Sequence, residues 1–92
     1  MMDGDEVPYL PRGVRLHHDK VRESWVLLAP ERAIMLDQIG HAVLTELDGT
    51  RSFAEITAAL AEKYDAPQEE IAKDSAGFLR ALRDRRFLEV RE

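Results

Sequence analysis

Apolar and polar positions alternate in the first third of the chain and then change to a helical period. In the stretch from Val14 to Asp19, Val14, Leu16 and His18 fall on one face, and Arg15, His17 and Asp19 on the other. That two-residue repeat predicts a strand. Asp19 to Glu23 is polar and suits a turn. SWVLLA, Ser24 to Ala29, reads as a second strand, ended by Pro30 because proline cannot donate to a ladder. RAIML, Arg32 to Leu36, reads as a third, short strand. Links this short predict an antiparallel meander with the second strand in the middle.

Beyond Leu36 the apolar spacing lengthens. Asp37 suits an N-cap, and Ile39, Val43, Leu44 and Leu47 follow at helical spacing. Asp48-Gly49 is expected to end that helix, since glycine tolerates the left-handed conformation there. Ser52 and Glu55 have the spacing of a capping box, which predicts a second helix with Ile56, Ala59, Leu60 and Tyr64 inward. Pro67 as first helical residue, with Glu69 and Glu70 in the first turn, predicts a third. Ile71, Phe78, Leu79 and Leu82 line it, and Arg80, Arg83, Arg85 and Arg86 load its C-terminal end. FLEV, Phe87 to Val90, suits a short closing extended segment.

The predicted fold class is therefore α+β: an N-terminal three-stranded antiparallel sheet followed by a three-helix bundle, winged-helix-like in a rearranged order. Residues 1–11 read as a flexible tail with an anchor at Tyr9 and Leu10, and residues 12–92 as one domain. Ile34, Leu36, Leu44, Leu60 and Leu82 are assigned to the core. The second strand is apolar on both faces, with Trp25 and Leu27 on one and Val26 and Leu28 on the other. Three helices cover only one face of such a sheet. Either the tail or a side of the third helix covers the other, or that surface is open for a partner.

Composition narrows the chemistry. The 92 residues suit a single domain, with room for one core and not for a deep enclosed active site. Hydrophobic residues are 45% and charged residues 34%, a globular balance. Net charge is −5, a poor match to a nucleic-acid backbone. With no cysteine, disulfides, thiolate metal sites and cysteine nucleophiles are excluded. The acidic, proline-broken start is no secretory signal, and no window approaches the ~18 apolar residues of a membrane span; a soluble cytoplasmic domain is the expectation. Adjacent His17 and His18 point to opposite faces, which argues against a shared metal ion. Arg15, Asp19, Arg22 and Glu31 suit turn-stabilising ion pairs or a docking surface. Nothing resembles a nucleophile and base or a phosphate loop, so no catalysis, cofactor or metal is expected.

Taken together, Arg15-Leu16, Asp19, Arg22, Leu27-Leu28, Pro30-Glu31, Leu36-Asp37 and Asp48-Gly49 resemble the pattern of the PqqD family of pyrroloquinoline quinone biosynthesis. The resemblance runs from about Leu10 to Val90; Ser75 stands where the pattern has an apolar residue. It implies a peptide chaperone and no enzyme. Such a protein binds the precursor peptide PqqA and presents it to the radical-SAM enzyme PqqE, which cross-links a Glu and a Tyr of that peptide. It is also a RiPP recognition element, in which the leader peptide adds to the third strand and lies against the third helix. In some organisms the module is fused behind the oxidase PqqC.

The resemblance puts the peptide along Arg32, Ala33, Ile34, Met35 and Leu36, with Leu79, Arg80 and Arg83 flooring or rimming the groove. The implied partners are PqqA and PqqE, with no nucleic acid and no membrane, and the chain is expected to be monomeric. The alternative is a winged-helix-like DNA-binding protein that reads its target with the arginines of the third helix.

Overall fold

The computed structural model describes residues 3–91, so Met1, Met2 and Glu92 lie outside it. Eight elements follow in chain order: β1 (Val7–Tyr9), β2 (Arg15–Asp19), β3 (Ser24–Ala29), β4 (Arg32–Leu36), α1 (Gln38–Thr45), α2 (Phe53–Tyr64), α3 (Gln68–Asp84) and β5 (Glu89–Arg91). The fold is α+β. The antiparallel sheet has the order β2-β3-β4 expected of the meander, and the three helices follow it.

Register follows from the turns. Asp19 Oδ1 accepts from the backbone N–H groups of Val21 and Arg22 at 3.0 and 3.3 Å, closing the β2–β3 turn. Asp19 therefore acts on the backbone and not in the expected ion pair. Among the described residues the ion pairs are Arg51 with Glu46 and Asp48, and Lys63 with Glu46. Pro30 and Glu31 form the two-residue link between β3 and β4, Glu31 taking φ 62°. That link sets Ala29 opposite Arg32, Leu27 opposite Ile34 and Trp25 opposite Leu36.

Side chains alternate across the sheet. Leu16, Leu27 and Ile34 form one cross-strand row facing the helices. Leu27 is wholly buried there, a core residue rather than one free to face a peptide. Behind it pack Leu36, Leu44, Phe53, Ile56, Leu60, Leu79, Leu82, Phe87 and Leu88. Each such burial contributes roughly 1.5–3 kcal/mol relative to exposure. Ile34 is half-buried at the margin of this cluster. On the opposite face, Val26 is buried between His17 and Met35, outside the main cluster. Neither suggested cover is used: β1 pairs with β5, and α3 packs into the cluster on the other side. Met35 remains 58% exposed, touched by Arg22 Nη1 at 3.6 Å from its sulfur.

The helices begin largely as expected and differ in detail. Asp37 caps α1, its Oδ1 accepting from Gly40 N at 2.6 Å. Ser52 and Glu55 form the reciprocal capping box of α2. Pro67 is the N-cap of α3 with extended backbone, one position before the helix proper. Ile39 and Tyr64 are exposed, not inward, because each lies at a helix end beyond the reach of the core. Helix α1 stops at Thr45, three residues before Asp48. Asp48-Gly49 instead turns the α1–α2 loop, with Asp48 Oδ1 accepting from Thr50 N and Arg51 N at 2.9 Å each. These backbone donors, Arg51 foremost, hold the Asp48 carboxyl well below the usual carboxylate range. Ser75 is buried within α3.

The expected tail is the main correction in the fold. Val7–Tyr9 forms a strand that pairs antiparallel with Glu89–Arg91. Pro8 is buried, which its missing N–H permits on a strand with only one neighbour. Tyr9 does serve as an anchor: its hydroxyl donates to Glu89 Oε2 at 2.7 Å. Arg91 lies 5.0 Å from the Tyr9 ring centroid and also donates to the Gly49 carbonyl. The two ends of the domain are thus tied to each other and to the α1–α2 loop.

Candidate functional site

Among the described residues strand β4 pairs with β3 alone, which makes it an edge. Its register tells which backbone groups are free. Ala29 and Arg32 flank a two-residue turn, so they are a hydrogen-bonded pair, and the pattern then alternates. Arg32, Ile34 and Leu36 spend their N–H and C=O groups on β3. Ala33 and Met35 point theirs outward, away from the sheet.

Helix α3 runs beside this edge in the opposite direction. At one end Arg32 Nη1 donates to the Arg85 carbonyl at 2.8 Å, and the Arg32 guanidinium lies 4.4 Å from the Phe87 ring centroid. At the other end Phe78 lies against Gly40 in the first turn of α1. A Cβ on Gly40 would stand 3.0 Å from Phe78 Cζ and 3.1 Å from Asp37 Oδ1, so glycine is what lets ring, cap and helix converge. The edge of β4 thus lies between two fixed ties. Arg32 to Asp37 spans about 17 Å of extended chain, and Asp74 to Arg85 about 17 Å of helix.

Helical phase decides which side chains of α3 face the edge. Phe78 and Arg85 are seven residues apart, two turns, and share one strip with Asp74 and Ala81. Ala81 and Arg85 are exposed and Phe78 is half-buried. The sequence-predicted residues fall elsewhere. Leu79 is wholly buried in the core and offers no surface. Arg80 lies about 200° around the helix from Phe78, on its solvent side. Arg83 lines a separate hollow with Tyr9, Arg86, Leu88, Glu89 and Val90, beside the β1–β5 ribbon. The structure therefore brings Arg32, Ala33, Ile34, Met35 and Leu36 together along one edge, puts Leu79 in the core beneath Ile34 and Leu36, and sets Arg80 and Arg83 apart. Phe78, Ala81 and Arg85 lie instead on the strip toward the edge. The seven-residue spacing of Phe78 and Arg85 beside the buried Leu79–Leu82 stripe was the available signal.

Two further features sit near the groove. Trp25, opposite Leu36, stacks on His41 with centroids 4.1 Å apart and planes 11° from parallel, and His18 meets it at 5.0 Å. These histidines are thus packed as partners of an aromatic ring. A cleft of about 180 Å³ opens between the helices, lined by Ile39, Ala42, Tyr64, Ile71 and Asp74 among others. Among the described residues no group of three or more His, Cys, Asp or Glu is placed to hold a metal ion. No helix among them is long and apolar enough to cross a membrane.

Comparison with known proteins gives a consistent picture. The sequence profile of coenzyme PQQ synthesis protein D (PqqD) matches residues 24–88. A PqqA binding protein of Rhizobium meliloti (strain 1021) is 51% identical over 90 residues, covering 98% of this chain and 92% of that one. The solution structure of the PqqD truncation of Methylobacterium extorquens PqqCD, described as a functional and stand-alone RiPP recognition element, is 44% identical. It superposes with a TM-score of 0.84 over 97% of this chain and 95% of its own. TbiB1, solved in complex with the TbiA(beta) leader peptide, is 25% identical with a TM-score of 0.73, covering 88% and 94%. Matched through most of its sequence by the profile, and half identical to a relative along nearly its whole length, the chain belongs to the PqqD family.

Proposed function

We propose that this chain is a peptide chaperone: it binds PqqA as an added strand on β4 and presents it to the radical-SAM enzyme PqqE, without catalysing a reaction itself. The observation that carries the reading is the edge of β4, whose outward Ala33 and Met35 groups run beside the exposed strip of α3. Main-chain pairing to such an edge supplies affinity, and alternate side chains supply selectivity. The name of the Rhizobium relative and the leader-bound state of TbiB1 support peptide binding by this fold. The role places the chain in the cytoplasm, as a monomer, with ribosomally made PqqA.

The test is amide chemical-shift mapping with PqqA and then with PqqE added. PqqA should shift Arg32 to Leu36 and the Phe78–Arg85 strip, and PqqE should add shifts on a second surface. Shifts that avoid β4 altogether would sink the groove. PqqE that ignores the loaded complex would sink the presentation step alone.

A further inference from the structure

The groove between β4 and α3 is charged differently at its two ends. Where Arg32 reaches the Arg85 carbonyl, both flanking side chains are cations, and both are exposed. Where Phe78 meets Gly40, the flanking side chains are Asp37 and Asp74, also exposed. Asp74 shares its cleft wall with Ile39, which fixes it at the Asp37 end. Between the ends the lining is neutral: Ile34 on the strand, Phe78 and Ala81 on the helix. The separation is about 17 Å on both walls, roughly twice the Debye length at physiological salt, so each end acts separately on a ligand. A neutral backbone added at β4 can pair in either direction, antiparallel slightly more stably, and the charges at the two ends add to that difference.

We infer that the groove selects an extended peptide segment with a cation, an apolar residue and an acid at alternate positions p, p+2 and p+4, bound antiparallel to β4. This inference rests on strand addition at β4. Antiparallel pairing is the more stable arrangement per residue, and it sends the peptide from the Asp37 end toward the Arg32 end. Residues p, p+2 and p+4 then stand beside Leu36, Ile34 and Arg32, on the face toward α3. The cation meets Asp37 and Asp74. The apolar side chain rests on Ile34, Phe78 and Ala81. The acid meets Arg32 and Arg85. Asp74 and Arg85 are thus specificity-determining residues, and they set direction as well as sequence preference.

The experiment uses two synthetic peptides of identical composition in a Ser/Thr host. One carries Lys, Val and Glu at p, p+2 and p+4, and the other carries Glu, Val and Lys. Each is titrated into the full chain and into the double variant Asp74→Lys/Arg85→Glu, read by amide shifts. The parent should prefer the Lys-first peptide on the order of tenfold, as two surface pairs turn from attractive to repulsive in the other. The double variant should lose or reverse that order. A nitroxide on the N-terminal side of the Lys-first peptide should broaden Asp37 to Gly40, and one on the C-terminal side Arg32 and Arg85. Equal affinities in the parent, including no binding by either peptide, would overturn the inference, as would the opposite broadening. PqqA shifts along Arg32 to Leu36 would leave strand addition standing in that case, while PqqA shifts elsewhere would remove both.

Discussion

Leu44 and Leu82 were legible as core residues because each repeats at helical spacing beside other apolar positions, and both are essentially buried. Leu44→Ala and Leu82→Ala should each cost about 2–5 kcal/mol in denaturant melts, since each leaves a cavity. Val21→Ala, at a position 94% exposed, should change stability by less than about 0.5 kcal/mol. Leu79 was legible as apolar, but not as unavailable; only the packing shows that no ligand reaches it. Asp48 was legible as a residue that ends α1, but neither its turn of the α1–α2 loop nor its charge-dependent role was. Its carboxyl is held low by backbone donors, so the folded state favours the ionised form. The resulting stabilisation is complete above the ordinary Asp pKa of about 3.9 and fades as pH falls through it and below. Asp48→Asn should therefore flatten the acid limb of the stability–pH profile, and an unchanged limb would remove this assignment.

At the scale of elements, the sheet and the helices could be read from periodicity, because a long amphipathic stretch states its own secondary structure. The three-residue strand at the N-terminal end could not, whereas FLEV was legible as a closing extended segment and Glu89–Arg91 is a strand. Val7–Tyr9 is too short to show a period, and it pairs with a partner some eighty positions away. Deleting residues 1–10 should remove the burial of Pro8 and Leu10 and cost about 2–4 kcal/mol. At about 4–8 °C per kcal/mol for a domain of this size, the melting temperature would fall by at least about 8 °C. A freely hanging tail would leave it unchanged. The same limit applies to α3: arginines are conspicuous in sequence, but which of them faces β4 depends on helical phase relative to a strand distant in the chain. Arg85→Glu should weaken PqqA binding by about two- to fivefold, while Arg80→Glu, on the solvent side, should leave it nearly unchanged. Isothermal titration of both variants checks the ordering.

For the whole molecule, a chain of net charge −5 sets Arg80, Arg83, Arg85 and Arg86 near one end of α3 with Arg32 beside that end, while its other cations are spread along the chain. Strand addition depends mainly on main-chain bonds, so PqqA affinity should change only a few-fold between about 50 and 200 mM salt. A protein held by many phosphate contacts would lose on the order of a thousandfold or more over the same range. The chain alone should leave the mass of PqqA unchanged, and the Glu–Tyr cross-link should require PqqE, a reductant and S-adenosylmethionine. On the proposed reading, the free groups of Ala33 and Met35 on β4 receive the peptide. Proline at 33 removes an outward N–H, whereas proline at 34 removes one used by β3. The decisive measurement is PqqA affinity for Ala33→Pro and Ile34→Pro, each beside its circular dichroism spectrum. Ala33→Pro should stay folded and bind at least about tenfold more weakly, losing one main-chain bond and the neighbouring register. Ile34→Pro should lose its fold. Folded Ala33→Pro that binds PqqA as tightly as the parent would contradict docking at β4.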